Sequence, residues 1–120
     1  MRAARGAIVN LVDIYVDRPL PRHPVYCMAK AALAMMTLAL ARELGPEVRV
    51  NAVAPGMIET DMSSFVRGAA GDQIIKAIPM KRIGKPAEIA SVVAFLAGAD
   101  AAYLTGQVLR VDGGLSLGGY

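Results

Sequence analysis

Tyr26 and Lys30 are the residues of this chain best suited to acid–base chemistry, because a phenol and an ammonium stand four positions apart. On a helix, side chains at positions i and i+4 lie on the same face, so the two groups can meet across one turn. A cation near a phenol lowers its pKa from about 10 and brings it closer to proton transfer at neutral pH. Asp13, at the end of an apolar segment upstream, could complete a proton-handling cluster.

Each of these features alone also fits an ordinary structural role. A Tyr-x-x-x-Lys pair is commonly a solvated pair on a helix surface, and a carboxylate at the end of a strand usually caps a turn. His23, next to Pro24, is expected to be a solvated loop residue, and Cys27 a small core or interface residue. The chemical interpretation therefore depends on what lies around the trio.

The elements that must position the trio follow in the order strand, helix, strand. Residues 6–12 are a short β-branched run without polar alternation, which is typical of a strand buried on both faces of a parallel sheet. Residues 25–44 are mostly Ala, Leu and Met and predict a long helix that stops at Gly45-Pro46. Residues 48–53 predict a second strand, which completes a βαβ unit with parallel strands and a right-handed crossover.

The second half of the chain continues this alternation. Pro55-Gly56 ends the second strand, and residues 57–70 predict a mobile loop with short helical turns at the end of the sheet where ligands bind. Residues 85–98 predict a helix, with Pro86 at its first position and Glu88 in its first turn. Residues 103–114 predict a last strand between glycine turns. The fold class is α/β.

The composition favours a soluble, cytoplasmic protein with one compact core. The 120 residues are 55% hydrophobic, and 13 basic against 10 acidic residues give a net charge of +3. The basic residues are scattered and the aromatics few, so no nucleic-acid partner is expected. The single cysteine excludes an internal disulfide and a Cys-based metal site, and it suits a reducing compartment. No metal site, no secretory signal and no membrane span is expected, because the longest apolar run, residues 31–41, is too short to cross a bilayer.

Several ordered motifs, taken together, resemble the short-chain dehydrogenase/reductase family over essentially the whole chain. The main ones are Asn10-Leu11-Val12-Asp13, Tyr26-x-x-x-Lys30, Val50-Asn51-Ala52-Val53-Ala54-Pro55-Gly56 and Val111-Asp112-Gly113-Gly114. Also similar to the family are Arg42-Glu43-Leu44, Pro55-Gly56-x-Ile58-x-Thr60 and Arg82-x-Gly84-x-Pro86-x-Glu88. The resemblance implies a Rossmann-type doubly wound parallel sheet.

The resemblance also implies the chemistry. Tyr26 would be the general acid that protonates the reduced centre as hydride arrives from a nicotinamide, and Lys30 would lower its pKa and hold the nicotinamide ribose. Asp13 would counteract Lys30 and favour the protonated phenol, which suits the reducing direction. The implied cofactor is NADPH, with NADH not excluded.

The family's contacts to the cofactor carry over to the segment after the second strand. Pro55 and Gly56 would bring backbone close to the nicotinamide, and Ile58 and Thr60 would contact its carboxamide or the pyrophosphate. Residues 57–70 would form the substrate lid.

The subgroup depends mainly on one residue. Most family members carry a serine where this chain has Asp13, and an aspartate there is similar to the pteridine reductases, as is the Arg18-Pro19-Leu20 segment. The segment from Pro55 to Met62 is more similar to the 3-oxoacyl carrier-protein reductases. We therefore expect an NADPH-dependent reductase of a dihydropterin or related small molecule. A 3-oxoacyl carrier-protein reductase or a generic short-chain alcohol dehydrogenase is the alternative.

The family's glycine-rich phosphate-binding loop has no counterpart in this sequence. Family members are about twice as long, so residues 1–120 are expected to be a single partial domain, the C-terminal half without the dinucleotide-binding half. We expect this half to be inactive alone, with an exposed apolar edge at its first strand, and the complete form to be a homodimer or homotetramer. A non-enzymatic alternative is an inactive fragment or association module that uses the Ala-rich helix.

Overall fold

The computed structural model describes residues 5–60 and 68–118 of the chain. Its helices and strands are β1 (Gly6–Leu11), α1 (Pro24–Leu44), β2 (Val48–Pro55), α2 (Ala69–Ala77), α3 (Pro86–Ala97) and β3 (Val108–Val111). Three short 3-10 helices cover Ile14–Val16, Ala99–Ala101 and Leu115–Leu117. The order of elements confirms the predicted α/β class.

The strands form a parallel sheet in the order β1-β2-β3. Leu11 lies opposite Val53, and Pro55 lies opposite Val111, so the three strands end at one edge. Because parallel strands all point the same way, the residues that follow them also emerge at that edge. Strand β2 is the central strand, and its residues from Val50 to Ala54 are all fully buried.

Helices cover both faces of the sheet because alternate residues of β2 point to opposite sides. Val50 packs with Ala41 of α1 on one face. Val53 packs with Leu96 of α3 on the other face. Small residues along α1 let this helix lie close to the sheet, and the result is a three-layer arrangement with β2 in the middle layer.

The predicted helices agree closely with the observed α1 and α3, but the prediction for the first strand is wrong in one respect. The apolar run predicted burial on both faces, whereas the residues of β1 are half-buried and Leu11 is 50% exposed. The reason is that, among the described residues, β1 pairs with β2 alone and lies at the sheet edge. The exposed edge that we expected at the first strand is therefore present in the described part of the chain.

The last strand is shorter than predicted because Asn51 replaces part of the ladder. The Asn51 side chain donates from Nδ2 to the carbonyl of Leu104 (2.9 Å) and accepts the N–H of Gln107 (3.0 Å). The Thr105 hydroxyl accepts the N–H of Val50 (3.0 Å). These side-chain bonds, together with backbone bonds from Gly106 to Val50 and from Ala52 to Gln107, hold residues 104–107 beside β2, and regular pairing begins only at Val108.

The predicted lid falls partly outside the described residues. Residues 57–60 follow β2, residues 61–67 lie outside the described part, and α2 begins at Ala69. The sequence interpretation did not predict α2. Its apolar positions include Ile74, which packs against the cluster of Val12, Ile14 and Ala54.

In the described part of the chain, α1 is the one helix long and apolar enough to cross a membrane by length and composition. The apolar run at residues 31–41 underestimated the length of this apolar helix, because α1 extends well beyond the run to 21 residues. Core helices of soluble proteins pass the same test, and α1 packs its Thr37 and Ala41 face against the sheet. Its outer face exposes Val25, Met28 and Met35, which is typical of a surface that another molecule covers.

The buried Asn51 generates a prediction about stability. Replacing Asn51 by Ala leaves the carbonyl of Leu104 and the N–H of Gln107 without their partner, so the free energy of unfolding should fall by about 2 to 4 kcal/mol. The measurement is urea denaturation of both forms. The matched control is Ser91→Ala, because the exposed Ser91 hydroxyl bonds only within its own helix, and a change below about 0.5 kcal/mol is expected. Equal effects of the two substitutions would contradict this account of Asn51.

Candidate active site

Asp13 lies directly after β1 and joins the strand end to the turn that follows. The N–H of Val12 still pairs with the carbonyl of Val53 (2.8 Å), so the ladder fixes the backbone up to this point. One carboxylate oxygen of Asp13 accepts the N–H of Tyr15 (3.1 Å) and caps the 3-10 turn. The other oxygen points to α1. The structural role and the chemical role of Asp13 are therefore compatible, since each uses a different oxygen.

Tyr26 meets Asp13 from the first turn of α1. Its hydroxyl donates to the second carboxylate oxygen of Asp13 at 2.5 Å, and the Tyr26 residue is 38% exposed. Burial, followed by the hydrogen bond to Asp13 and the charge of Asp13, raises the pKa of Tyr26 to about 12. The phenol therefore keeps its proton at neutral pH.

Lys30 lies on the same helix face as Tyr26, as its spacing predicted, but it does not act on the phenol as expected. Its Nζ donates to the carbonyl of Leu11 (3.2 Å) and lies 5.8 Å from the centre of the Tyr26 ring. The expectation that Lys30 lowers the pKa of Tyr26 is wrong for this arrangement. Lys30 is not among the causes of the shift, and the raised pKa agrees instead with the expectation that Asp13 favours the protonated phenol.

The start of α1 is fixed by the proline-rich loop before it. Pro24 occupies the first helical position, where its fixed φ suits the helix and its missing N–H costs nothing. The half-buried Cys27 sulfur accepts the N–H of Leu20 (3.3 Å), and the exposed His23 ring contacts the Tyr26 ring edge-on at 6.3 Å. These contacts orient the first helical turn, on which Tyr26 stands.

Pro55 and Gly56 end β2 at the same edge of the sheet. The N–H of Gly56 donates to the carbonyl of Val111 (3.1 Å), and a Cβ atom added to Gly56 would lie 2.5 Å from the Cβ of Asp112. Only glycine lets the two segments lie this close. Hydrogen bonds from Ser116 and Gly114 to the Asp112 carboxylate outweigh its partial burial and lower its pKa.

Ile58 and Thr60 follow in the segment after β2. Ile58 forms an isolated parallel bridge with Gly84, in front of α3. Thr60 is exposed and is the last described residue of this segment. A small cavity of about 120 Å³ lies beside Ile58. Its walls include Met57, Met80, Gly84, Val111 and Asp112.

The residues brought to this edge fit one end of a nicotinamide cofactor. Lys30 and Tyr26 offer hydrogen-bond donors on one helix face, near the end of β1, and the Pro55-Gly56 turn lies at the end of the neighbouring strand. This donor set suits ribose hydroxyls and a flat ring.

Two contacts that the sequence interpretation missed join the turn after β1 to the C-terminal segment. Asp17 forms an ion pair with Arg110 of β3 at 2.5 Å, and the Arg18 guanidinium donates to the carbonyl of Ser116. The pairs are more than 90 residues apart in sequence, so no spacing rule indicates them. Within residues 5–60 and 68–118, no group of three His, Cys, Asp or Glu side chains is arranged to hold a metal ion.

A parallel sheet with helices on both faces and an acid–base cluster at its carboxyl edge define a doubly wound α/β protein with a ligand site at that edge. A family model described as enoyl-(acyl carrier protein) reductase matches residues 1–116. The chain belongs to the short-chain dehydrogenase/reductase family, which confirms that part of the resemblance.

Relatives and solved structures agree with this membership. The chain is similar to the 3-oxoacyl-(acyl-carrier-protein) reductase FabG of Chlamydia trachomatis, with 40% identity over 97% of this chain and 47% of the relative. It is similar to the same reductase of Thermotoga maritima, with 41% identity over 96% of this chain and 47% of the relative. The chain spans about half the length of the curated relatives it matches.

Two solved structures match its fold. One is the 3-oxoacyl-(acyl-carrier protein) reductase from Brucella melitensis, with a TM-score of 0.89 and 39% identity over 97% of this chain and 44% of that one. The other is a putative 2-deoxy-D-gluconate 3-dehydrogenase from Agrobacterium tumefaciens with bound NADP. Its TM-score is 0.90, with 36% identity over 95% of this chain and 48% of that one. The 3-oxoacyl carrier-protein reductases among these similar proteins favour the 3-oxoacyl alternative over the pteridine reductase hypothesis.

The bond between Asp13 and Tyr26 generates a prediction about titration. Asp13→Ser should lower the pKa of Tyr26 from about 12, yet leave it above 10, because the carboxylate is lost while the burial remains. The measurement is an NMR titration of isotope-labelled tyrosine, with Tyr26 assigned from Tyr26→Phe. Asp17→Ser is the control, since Asp17 pairs with Arg110 and should leave the pKa of Tyr26 unchanged.

The same shift sets a pH dependence of stability. The unfolded chain releases the Tyr26 proton near pH 10 and the folded chain near pH 12, so the stabilisation is complete below pH 10 and is lost as the pH rises to 12. Asp13→Ser should narrow the pH range over which this stabilisation is lost, because it lowers the pKa of Tyr26 in the folded chain. A Tyr26 pKa that stays at about 12 in the variant would contradict the role given to Asp13.

The close approach of Gly56 to Asp112 generates a second prediction for the site. Gly56→Ala should lower the free energy of unfolding by about 1 to 3 kcal/mol, because the new methyl group must displace the Asp112 segment. Gly45→Ala is the matched control, since a Cβ there meets only the carbonyl of Ala41 at 3.4 Å and no loss is expected. Urea denaturation measures both. Equal losses in the two variants would contradict the role given to the contact with Asp112.

Proposed function

We propose that this chain is the catalytic half of an NADPH-dependent short-chain reductase that reduces a carbonyl group, with Tyr26 as the general acid. The observation that carries the proposal is the Tyr26 hydroxyl, which donates to Asp13 and stands on the helix face that also bears Lys30. An acid at the carboxyl edge of a parallel sheet stands where ligands of such sheets bind.

The chemistry requires one proton from the protein. The cofactor, when bound, supplies the hydride that adds to the carbonyl carbon. Tyr26 gives its proton to the carbonyl oxygen, which becomes a hydroxyl, and the resulting phenolate takes a proton back from solvent. Lys30 would hold a ribose hydroxyl of the cofactor through its ammonium group.

Pro55, Gly56, Ile58 and Thr60 line the nicotinamide end of the site in this proposal. Their segment leaves the sheet beside the strand that ends in Asp13, and the backbone of Gly56 is fixed by Val111. The NADP bound to the Agrobacterium tumefaciens protein supports NADPH as the cofactor, with NADH as the alternative.

A 3-oxoacyl group on a carrier protein is the substrate class we propose. Its support is that the Chlamydia trachomatis and Thermotoga maritima relatives are 3-oxoacyl carrier-protein reductases, and that the segment after Pro55 is similar to theirs. A generic short-chain alcohol dehydrogenase keeps the same machinery with another small carbonyl compound. In either case, the enzyme is cytoplasmic and takes neither nucleic acid nor membrane as a partner.

Dihydropterin reduction is the second candidate, and the Asp13–Tyr26 bond is the observation that favours it. A carboxylate accepts hydrogen bonds where a serine hydroxyl can also donate one, so Asp13 can bind the N–H groups of a pterin ring. A serine hydroxyl at this position could donate a hydrogen bond to a carbonyl oxygen. The two substrate classes therefore differ in the group that contacts residue 13, which is an N–H donor of a pterin ring in one and a carbonyl oxygen in the other.

The complete form is a homodimer or homotetramer in this proposal, and the exposed methionines of α1 support a covered face. The chain alone is inactive, because it carries no phosphate-binding loop. The same exposed face supports the alternative of a non-enzymatic association module. That alternative predicts self-association of the chain in gel filtration without any binding of NADPH.

The test of the reductase proposal joins this chain to the amino-terminal half of the Thermotoga maritima relative. NADPH oxidation is followed with a 3-oxoacyl carrier protein and with dihydropterin. Tyr26→Phe should lower kcat by about 10²- to 10⁴-fold, because it removes the acid and leaves the ring. The matched control is Tyr103→Phe, since Tyr103 is fully exposed and should leave kcat unchanged.

The outcomes separate the candidates. Turnover of the acyl substrate alone supports the 3-oxoacyl class, and turnover of dihydropterin that Asp13→Ser abolishes supports the pterin class. A folded fusion with no turnover, or turnover that Tyr26→Phe leaves unchanged, overturns the proposal. Circular dichroism and gel filtration of the fusion establish that it is folded.

A further inference from the structure

Two backbone hydrogen bonds hold the segment after β2 against the start of α3. The N–H of Glu59 donates to the carbonyl of Gly84 at 2.8 Å, and the N–H of Gly84 donates to the carbonyl of Met57 at 2.8 Å. Ile58 lies between these bonds as the bridge partner of Gly84. The position of Ile58 relative to the sheet therefore depends on where Gly84 stands.

Side-chain packing strengthens this dependence. A Cβ atom added to Gly84 would lie 2.8 Å from Cδ1 of Ile58, so the isoleucine rests directly on the glycine backbone. The small cavity described above is lined by the same two residues. A group that fixes Gly84 also fixes the shape of this corner of the site.

The Glu88 carboxylate fixes the chain on both sides of Gly84. The Arg82 guanidinium donates to it through two parallel hydrogen bonds, Nη1 to Oε2 at 2.8 Å and Nη2 to Oε1 at 2.6 Å. The N–H of Lys85 donates to Oε2 at 2.8 Å. A two-bond Arg–carboxylate contact restrains direction as well as distance. Glu88 is itself held in the first turn of α3, next to Ile89, which packs against the core on β2.

The Arg82–Glu88 pair acts on the local structure of the turn more than on the stability of the whole fold. The Arg82 and Glu88 side chains are 49% and 42% exposed, and exposed ion pairs add little to the stability of a fold. Capping α3 requires only the bond from Lys85, since the guanidinium of Arg82 satisfies no helix N–H. The hydrogen bonds from Arg82 to Glu88 therefore fix the turn at residues 82–85 and do not cap the helix.

We propose that Glu88 is a positioning residue that, through Arg82 and Lys85, fixes Gly84 and thereby holds Ile58 at the nicotinamide end of the site. The identity of the ligand rests on the proposed function, whereas the coupling from Glu88 to Ile58 does not. The bonds from Arg82 and Lys85 lower the pKa of Glu88 to about 2, so the carboxylate stays ionised near neutral pH.

Amide hydrogen exchange in the full 120-residue chain, read by NMR, tests the coupling without any activity. Glu88→Ala and Arg82→Ala should each speed the exchange of the Gly84 and Glu59 amides about tenfold, the effect of losing one hydrogen bond of ordinary strength. The amides of Ala52 and Gly106, both bonded at the centre of the sheet, should keep their rates.

Two further variants sharpen the result. Glu88→Gln keeps an oxygen for the N–H of Lys85 but loses the charge, so a smaller acceleration is expected. Asp100→Asn is the control, because it removes an exposed carboxylate at the far end of α3 and should change neither amide. Arg82→Ala separates positioning from helix capping, since it leaves the bond from Lys85 in place.

The outcomes decide the proposal. Unchanged Gly84 and Glu59 amides, acceleration by Glu88→Ala but not by Arg82→Ala, or acceleration throughout the sheet would each overturn it. In the active fusion, Glu88→Ala should raise the KM for NADPH about tenfold with a smaller change in kcat. Faster exchange with an unchanged KM would overturn the link to the cofactor site. A fusion without turnover would count against the proposed function and leave the exchange result to decide the coupling.

Discussion

The parallel pairing of β2 with β1 and β3 is the constraint on which the rest of the structure depends. Because the three strands run in one direction, Asp13, Pro55 and Asp112 emerge at the same edge although they are far apart in sequence. Helices cover both faces of the central strand, so its residues from Val50 to Ala54 are fully buried and its end is fixed. Every side chain proposed for catalysis or cofactor binding is placed relative to that end.

The Asp13–Tyr26 bond connects this scaffold to the proposed site. One carboxylate links the end of β1, the turn after it and the first turn of α1, since each of its oxygens accepts a different donor. Burial, followed by the hydrogen bond and charge of Asp13, raises the pKa of the phenol, while Lys30 donates to the carbonyl of Leu11. The proposed role of Tyr26 as general acid uses this protonated phenol. One carboxylate thus takes part both in the local structure and in the titration of Tyr26.

Much of the fold and part of the site could be predicted from local patterns. The helix bearing Tyr26 was predicted because Ala, Leu and Met dominate it, and the same-face relation of Tyr26 and Lys30 followed from helix geometry. The length of β3 could not be predicted, because the Asn51 side chain occupies the ladder from a neighbouring strand. The half-exposed β1 escaped prediction for a similar reason, since an apolar run does not reveal which strand lies at an edge.

The sequence by itself determined the order of the elements apart from α2, the family and the residue types available for acid–base chemistry, because these depend on neighbours along the chain. Only the tertiary structure decided how those residues interact. The pKa of Tyr26 is raised and not lowered because the fold partly buries the phenol and brings Asp13 to its oxygen, while Lys30 lies beside the ring. The bridge between Ile58 and Gly84 likewise joins segments that no spacing connects. Charge and hydrogen bonding act through distances in space, and the fold sets those distances.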